Sequence, residues 1–342
     1  MKEKSSLILR GLRQRRRRWI IVTGLLSVLA GTLCCAMLLF GDKIYPIEEI
    51  VASLFGRQIA GISFIVITLR LPRMLAGLFA GFAFGVAGYL FQTILRNPLA
   101  NPNVLGITSG SSAAAVLCMT VLHTSDTMVS VASIIAGFAT VMIMYGLSRG
   151  ESFSIGRLIL IGIAMQAMLD AVISYLLLAS AQQDLPAALQ WLSGSLNGVQ
   201  IEKLPSLIVT VIFLTVVAIL FGKSLTTLAL GEEIAISLGV AVNQTRILLV
   251  VSSVLLIAMA TAVTGPIAFI SFLAGPIANR LAGIGFSNII PAGLVGADLV
   301  LLADLTGQFA FAYRFPVGVV TGLLGAPYLI WLLIRMNREG AL

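Results

Sequence analysis

Charge is what this chain has least of. Of its 342 residues, 11% are Asp, Glu, Lys or Arg, where a soluble domain carries about 25%. That scarcity excludes an ordinary soluble globular protein. Histidine occurs once and cysteine three times. Cys34, Cys35 and Cys118 lie in apolar runs without metal-ligand spacing, and His123 falls in the loop-like "VLHTSD", so no metal site is expected. No Cys/His/Asp nucleophile set stands out, so no catalytic residue is assigned and an enzyme is not expected. A nucleotide site is equally unsupported. "LFGKSL" carries the Gly222-Lys223-Ser224 tail of a phosphate loop, but Val217 stands where that motif needs glycine. If ATP is used, another chain binds it.

What the chain has is hydrophobicity, at 58% of residues and a mean hydropathy of +1.04. A helix needs about 20 apolar residues to cross a bilayer core of roughly 30 Å. By that measure ten spans are expected, at 19–40, 63–90, 106–122, 128–148, 157–179, 204–222, 246–264, 267–282, 288–310 and 317–335. The chain then divides into a basic segment 1–18, a membrane domain 19–335 and a tail 336–342. The net charge of +8 is read as orientation, not as nucleic-acid binding. With the N-terminus inside, the inner side holds 16 of the 22 Lys and Arg, half of them in residues 1–18. The outer side holds Lys43, Arg57, Arg70, Arg73, Lys203 and Arg314. That bias puts both termini in the cytoplasm. A secretory signal is the competing reading of "RGLRQRRRRW". The span 19–40 is too long for a signal core, and no small-residue cleavage site follows it.

Several stretches ask for more than packing. Gly77, Gly81, Gly85 and Gly88 in "GLFAGFAFGVAG" line one helix face and predict close helix contact. "LRNPLANPN" holds two Asn-Pro pairs, which predicts either a stiff inner loop or broken backbone lining a polar path. Arg70 and Arg73 in "TLRLPRML" share a helix face near the outer edge. They read as interfacial anchors or, with Arg314, as a positive site for an acidic partner. Asp170 lies thirteen residues past Arg157, roughly 20 Å deep at about 1.5 Å per residue. A carboxylate there marks a functional candidate, and Gln166, four residues earlier, is its expected partner. Asp298 and Asp304 lie in a second apolar span. "ALGEEIAISLGV" sets Glu232 and Glu233 between two hydrophobic segments. It predicts a short amphipathic helix within 223–245, suited to docking into a groove on a partner protein. The acidic pair argues against a helix that lies on anionic lipid.

Taken together, "LRLPRMLAGLFAGFAFGVAG", "RNPLANPNVLGITSGSSAAA", "LALGEEIAISLGV", "GPIAFISFLAGPIANRLAG" and "LLADL…FPVGVVTGLLGAPYLIWLL" resemble the permease subunits of ATP-driven iron-chelate, haem and vitamin B12 importers. They occur in the family order from about residue 68 to 335. The resemblance implies an all-α polytopic membrane protein with the type II ABC importer permease fold, in a bacterial cytoplasmic membrane. It implies a second permease chain, identical or paralogous, two cytoplasmic ATPase subunits that carry ATP and Mg, and an extracytoplasmic binding protein. No cofactor is expected in this chain, and membrane lipid is its other partner. Gly231, Glu232, Glu233, Ala235, Leu238, Gly239 and Val240 match the family's ATPase-coupling segment. Arg70 and Arg73 match outer arginines that receive acidic residues of the binding protein. Asn97 and Leu99, in "NPLA", are inner-gate candidates beside the pathway candidates Gln166 and Asp170. Three positions depart from the family pattern: Asn279 in "GPIANR", Gln308 where a basic residue is common, and Arg314 where an acidic one is. Ferric siderophore is the expected cargo on family frequency; vitamin B12 and haem fit the same features. A proton- or sodium-coupled transporter with Asp170, Asp298 and Asp304 as its relay is the alternative of another class.

Overall fold

Small residues at four-residue spacing make the segment after Pro72 a narrow rod, and the rest of the fold packs round it. The computed structural model describes residues 2–41, 43–148, 155–283 and 285–338. Arg149 and residues 339–342 of the expected tail lie outside them. Every regular element among the described residues is helical: α1 (Lys2–Leu39), α2 (Ile47–Leu54), α3 (Ile62–Phe64), α4 (Leu71–Leu95), α5 (Ile107–Thr120), α6 (Asp126–Ser148), α7 (Ile155–Ala179), α8 (Leu185–Leu192), α9 (Leu204–Leu220), α10 (Gly222–Leu228), α11 (Glu232–Ser237), α12 (Val242–Thr264), α13 (Ile270–Ala282), α14 (Ile289–Phe309) and α15 (Val317–Arg338).

Each of the ten expected spans falls on a helix. Among the described residues, seven helical stretches are long and apolar enough to cross a membrane. α5 and α13 are shorter, at 14 and 13 residues, and the apolar part of α15 is Val317–Trp331. α13 begins at Ile270 rather than 267 because the chain breaks at Gly265 (φ 70°) and Phe269 (φ 64°). Three further differences concern segments between spans. The basic segment is continuous helix with the first span. The loops expected outside carry α2 and α8. The segment 223–245, expected inside, holds two short helices, α10 and α11, where one was expected.

Proline shapes the entry to α4. Residues Ile65–Arg70 form a π-helical turn in which the Leu71 N–H reaches the Val66 carbonyl. Pro72 has no N–H and its ring crowds the preceding turn, and a widened turn relieves that conflict. α4 then runs through the core, with 78% of its apolar window buried, whereas α7 buries 17%. The glycines of α4 make this possible. A β-carbon at Gly81 would stand 2.7 Å from the Gly296 carbonyl of α14. At Gly85 it would strike the Ala292 carbonyl, and at Gly88 the Ser271 carbonyl of α13. These are backbone-to-backbone contacts that only glycine permits, the small-residue packing by which membrane helices associate.

Pro276, inside α13, cannot donate to the Phe272 carbonyl one turn before it. Gln92 of α4 fills the gap, its Nε2 donating to that oxygen at 2.9 Å. A buried carbonyl left without a donor would cost about 1–3 kcal/mol. The unusual Asn279 also has a local task. The Asn288 side-chain amide donates to Asn279 Oδ1 at 2.8 Å and to the Gly283 carbonyl at 2.9 Å, closing the connection between α13 and α14.

Candidate functional site

On the face expected to be cytoplasmic, α11 is a helix of six residues framed by two glycines that need left-handed or extended positive-φ backbone. Gly231 has φ 127° and ψ 154°, and Gly239 has φ 79°. Both conformations are costly for any residue with a β-carbon. At the C-terminal end the Val240 N–H bonds the Ala235 carbonyl and the Gly239 N–H bonds that of Ile236, at 2.9 Å each. That is a Schellman cap, with its usual apolar contact. Val240 packs with buried Ala235, Leu228 and Val242. Gly231, Ala235, Gly239 and Val240 therefore build and seat the element. Leu238, Ile234 and Ile236 are turned outward, at 64%, 48% and 60% exposure. Glu232 is tied by a 3.0 Å ion pair to Arg246 of α12; Glu233 is exposed. The result is an apolar knob with an acidic edge, pinned at one end.

The turn after α4 lies against this element. Arg96 takes a left-handed conformation (φ 50°) and its guanidinium approaches Gly231. The Asn97 N–H caps α4 through the Gln92 carbonyl at 3.0 Å. Its own Oδ1 accepts from the Leu99 N–H at 2.9 Å. Asn101 Oδ1 accepts from the Asn103 N–H and from Ser271 Oγ of α13. The two Asn-Pro pairs thus form a stiff, self-bonded turn docked on α13. Asn97 is exposed and Leu99 half-buried.

At the opposite end the three arginines diverge. Arg70 caps the end of α1, donating to the carbonyls of Leu38 (2.7 Å), Leu39 (3.0 Å) and Lys43 (2.7 Å), and its guanidinium lies 5.3 Å from the Tyr45 ring centre. Arg73 grips Asp304 of α14 with two bonds, Nε to Oδ2 at 2.9 Å and Nη2 to Oδ1 at 2.8 Å. Gln308 donates to the same carboxylate at 2.6 Å. Arg314 is exposed. The spacing of Arg70 and Arg73 does not bring their guanidinium groups to one partner, because the turn before Pro72 sends one to α1 and the other to α14.

In the membrane interior, Asp170 bonds Ser109 Oγ of α5 at 2.9 Å. The expected partner was Gln166. Asp170 is exposed on the surface of the single chain, as are Met168, Tyr175 and Leu178 of α7. Asp298 is 3% exposed, and neither of its carboxylate oxygens finds a donor among the described residues. The three carboxylates expected as a relay thus have three separate surroundings, and Asp304 is held by an arginine. Arg246, Ser109 and Asp304, as partners of Glu232, Asp170 and Arg73, were not anticipated. They are 14, 61 and 231 residues away, beyond any helical repeat.

Comparison with known proteins places the chain, rather than any single site, in one family. The FecCD transport family matches residues 26–335. The chain is 36% identical over 293 residues to the ferric enterobactin transport system permease protein FepG of Escherichia coli (strain K12), covering 85% of this chain and 89% of that protein. It is 32% identical over 323 residues to the Fe(3+)-citrate import system permease protein YfmE of Bacillus subtilis (strain 168), covering 94% and 96%. Among solved structures, a metal-chelate type ABC transporter in an inward-facing conformation superposes with a TM-score of 0.80 at 27% identity, over 92% of this chain and 99% of that one.

Proposed function

This chain belongs to the FecCD transport family, and from that premise we propose that it is the membrane permease of an ATP-binding-cassette importer for a ferric siderophore. The cargo follows its relatives, whose names specify ferric enterobactin and Fe(3+)-citrate. Two ATPase subunits on the cytoplasmic side, binding ATP and Mg, supply the energy. A binding protein delivers the chelate outside, and a second permease chain completes the pathway. Both termini are cytoplasmic.

The observation that carries the reading is α11. Three large apolar side chains are held out from the inner face on a helix too short to stand alone, braced by a Schellman cap and the Glu232–Arg246 ion pair. An exposed apolar cluster of that kind marks a protein contact, and the ATPase is the partner that an inner contact on an importer requires. α7 supports the rest. It carries Asp170 on its exposed side, and a carboxylate does not face acyl chains, so that side lines the polar path shared with the second permease chain.

Leu238→Cys, in a chain whose Cys34, Cys35 and Cys118 are first replaced by Ala, tests the reading. With the co-expressed ATPase it should cross-link to a single cysteine scanned through that subunit's surface. Cross-linking of Arg314→Cys but not Leu238→Cys to the ATPase would reverse the topology and overturn the proposal.

A further inference from the structure

The N-terminal arginines are unused by the permease reading beyond setting orientation, yet they form a built surface. From Trp19 to Leu39 α1 is 21 residues long, about 31 Å at about 1.5 Å per residue, which matches the hydrocarbon thickness. Arg18 and the residues just before it, back to about Arg13, therefore stand at headgroup level. This part of α1 is also peripheral: Ile20 and Ile21 are 53% and 48% exposed.

Arg18 is fixed there. Its Nε donates to the Leu281 carbonyl at 2.8 Å and its Nη2 to the Arg280 carbonyl at 2.7 Å. These are last-turn carbonyls of α13, which a cation stabilises. Arg15 lies over Gly285 in the connection that follows. Arg280 projects from the same turn and stacks 5.2 Å from the Trp331 ring of α15. Among the described residues, Arg13, Arg15, Arg16, Arg17 and Arg18 have no carboxylate partner, and all five are exposed. Three helices thus bring a collar of guanidinium groups and an indole to one level above an exposed aliphatic wall.

We infer that this collar is a binding site for anionic phospholipid, its arginines holding headgroup phosphates while acyl chains lie on α1 beside Ile20 and Ile21. Guanidinium pairs bind phosphate bidentately, and basic clusters next to a span at the inner surface attract anionic lipid. The apolar wall selects a lipid over a free anion. Binding at this site fixes the junction of α1 with α13, the helix that also carries the Gln92 and Asn288 contacts. The inference depends on the permease reading only for the inner position of the N-terminus.

Native mass spectrometry of the full-length chain in detergent tests it, with phosphatidylglycerol and phosphatidylcholine as probes. The native chain should retain phosphatidylglycerol preferentially. Replacing Arg15, Arg16 and Arg17 together by Gln, which leaves the Arg18 cap in place, should weaken that retention roughly a hundredfold, at about fivefold per arginine. Equal retention by both chains would overturn the inference, as would loss of ATPase co-purification with lipid retention unchanged. Should the variant fail to fold, the native chain still decides. Trp19 and Trp331 sit at the site, and brominated phosphatidylglycerol should quench tryptophan fluorescence more than brominated phosphatidylcholine; equal quenching would contradict it. Neither measurement involves transport, so a failure here is separate from a failure of the importer reading, which uptake assays judge.

Discussion

Arg73 of α4 and Asp304 of α14 are joined by a two-pronged ion pair, at 2.8 and 2.9 Å, with the carboxylate 1% exposed. The helices it joins meet backbone to backbone at Gly81 and Gly85, so the pair clamps one end of that packing. It also means that an arginine expected to meet a binding protein already has an internal partner. Arg73→Ala should destabilise the protein by about 3 kcal/mol, because it leaves Asp304 buried without a counter-charge. The joint change Arg73→Met with Asp304→Leu should recover most of that loss. Thermal unfolding in detergent measures both. Arg314→Glu should instead leave the unfolding temperature little changed and weaken binding-protein affinity. Unchanged affinity would remove Arg314 from the docking surface.

Gly88 faces the backbone of Ser271, so a methyl group there forces α4 and α13 apart. Gly88→Ala should cost about 1–3 kcal/mol through overpacking. A β-carbon at Gly146 of α6 would meet nothing within 4 Å, and Gly146→Ala should be neutral or stabilising by up to about 1 kcal/mol. Paired unfolding curves compare the two.

Glu232 is half exposed, at 49% for its side chain, and so its ion pair with Arg246 is screened by solvent. Glu232→Ala should change stability by less than about 1 kcal/mol. Leu238→Asp should also be tolerated by the fold, since Leu238 is 64% exposed, but should abolish stimulation of the ATPase by loaded binding protein. Normal stimulation in Leu238→Asp proteoliposomes would show that α11 does not transmit the ATPase stroke.

Asp170 is positioned by Ser109 and is exposed on α7. On the proposed function, Asp170→Leu should lower uptake at least tenfold, and it should cost little stability because Asp170 is exposed rather than a core contact. Ser109→Ala should give a smaller defect, through loss of one hydrogen bond to a charged group, about 1.5–3 kcal/mol. Uptake measured beside membrane abundance separates transport from folding.

Hydropathy and helical spacing were enough to place ten apolar helices, long and short, because each must bury an apolar stripe and satisfy its own backbone. The close approach of α4 was legible in Gly77, Gly81, Gly85 and Gly88 for the same reason. α11 was legible as a short helix from its acidic pair and the glycine that ends it. Its separation from α10 was not, because Gly231 reads equally as a turn or a helix interruption. Pairings across the fold were hidden. Nothing within four residues of Asp170 or Arg73 points to Ser109 or Asp304, so the nearby Gln166 and Arg70 were the natural expectations. Asn279 looked like an unexplained departure until Asn288, across a tight connection, proved to be its partner.

The central claim is that this chain passes a ferric chelate on ATP power. Uptake of radioactive iron, supplied as a panel of siderophores and as haem beside labelled cobalamin, tests it most directly. Cells with and without the gene are compared, with ATP depleted or the ion gradients collapsed. The account predicts that loss of the gene abolishes uptake of one ferric siderophore, and that this uptake needs ATP and survives collapse of the gradients. Uptake that follows the proton gradient and ignores ATP would contradict it.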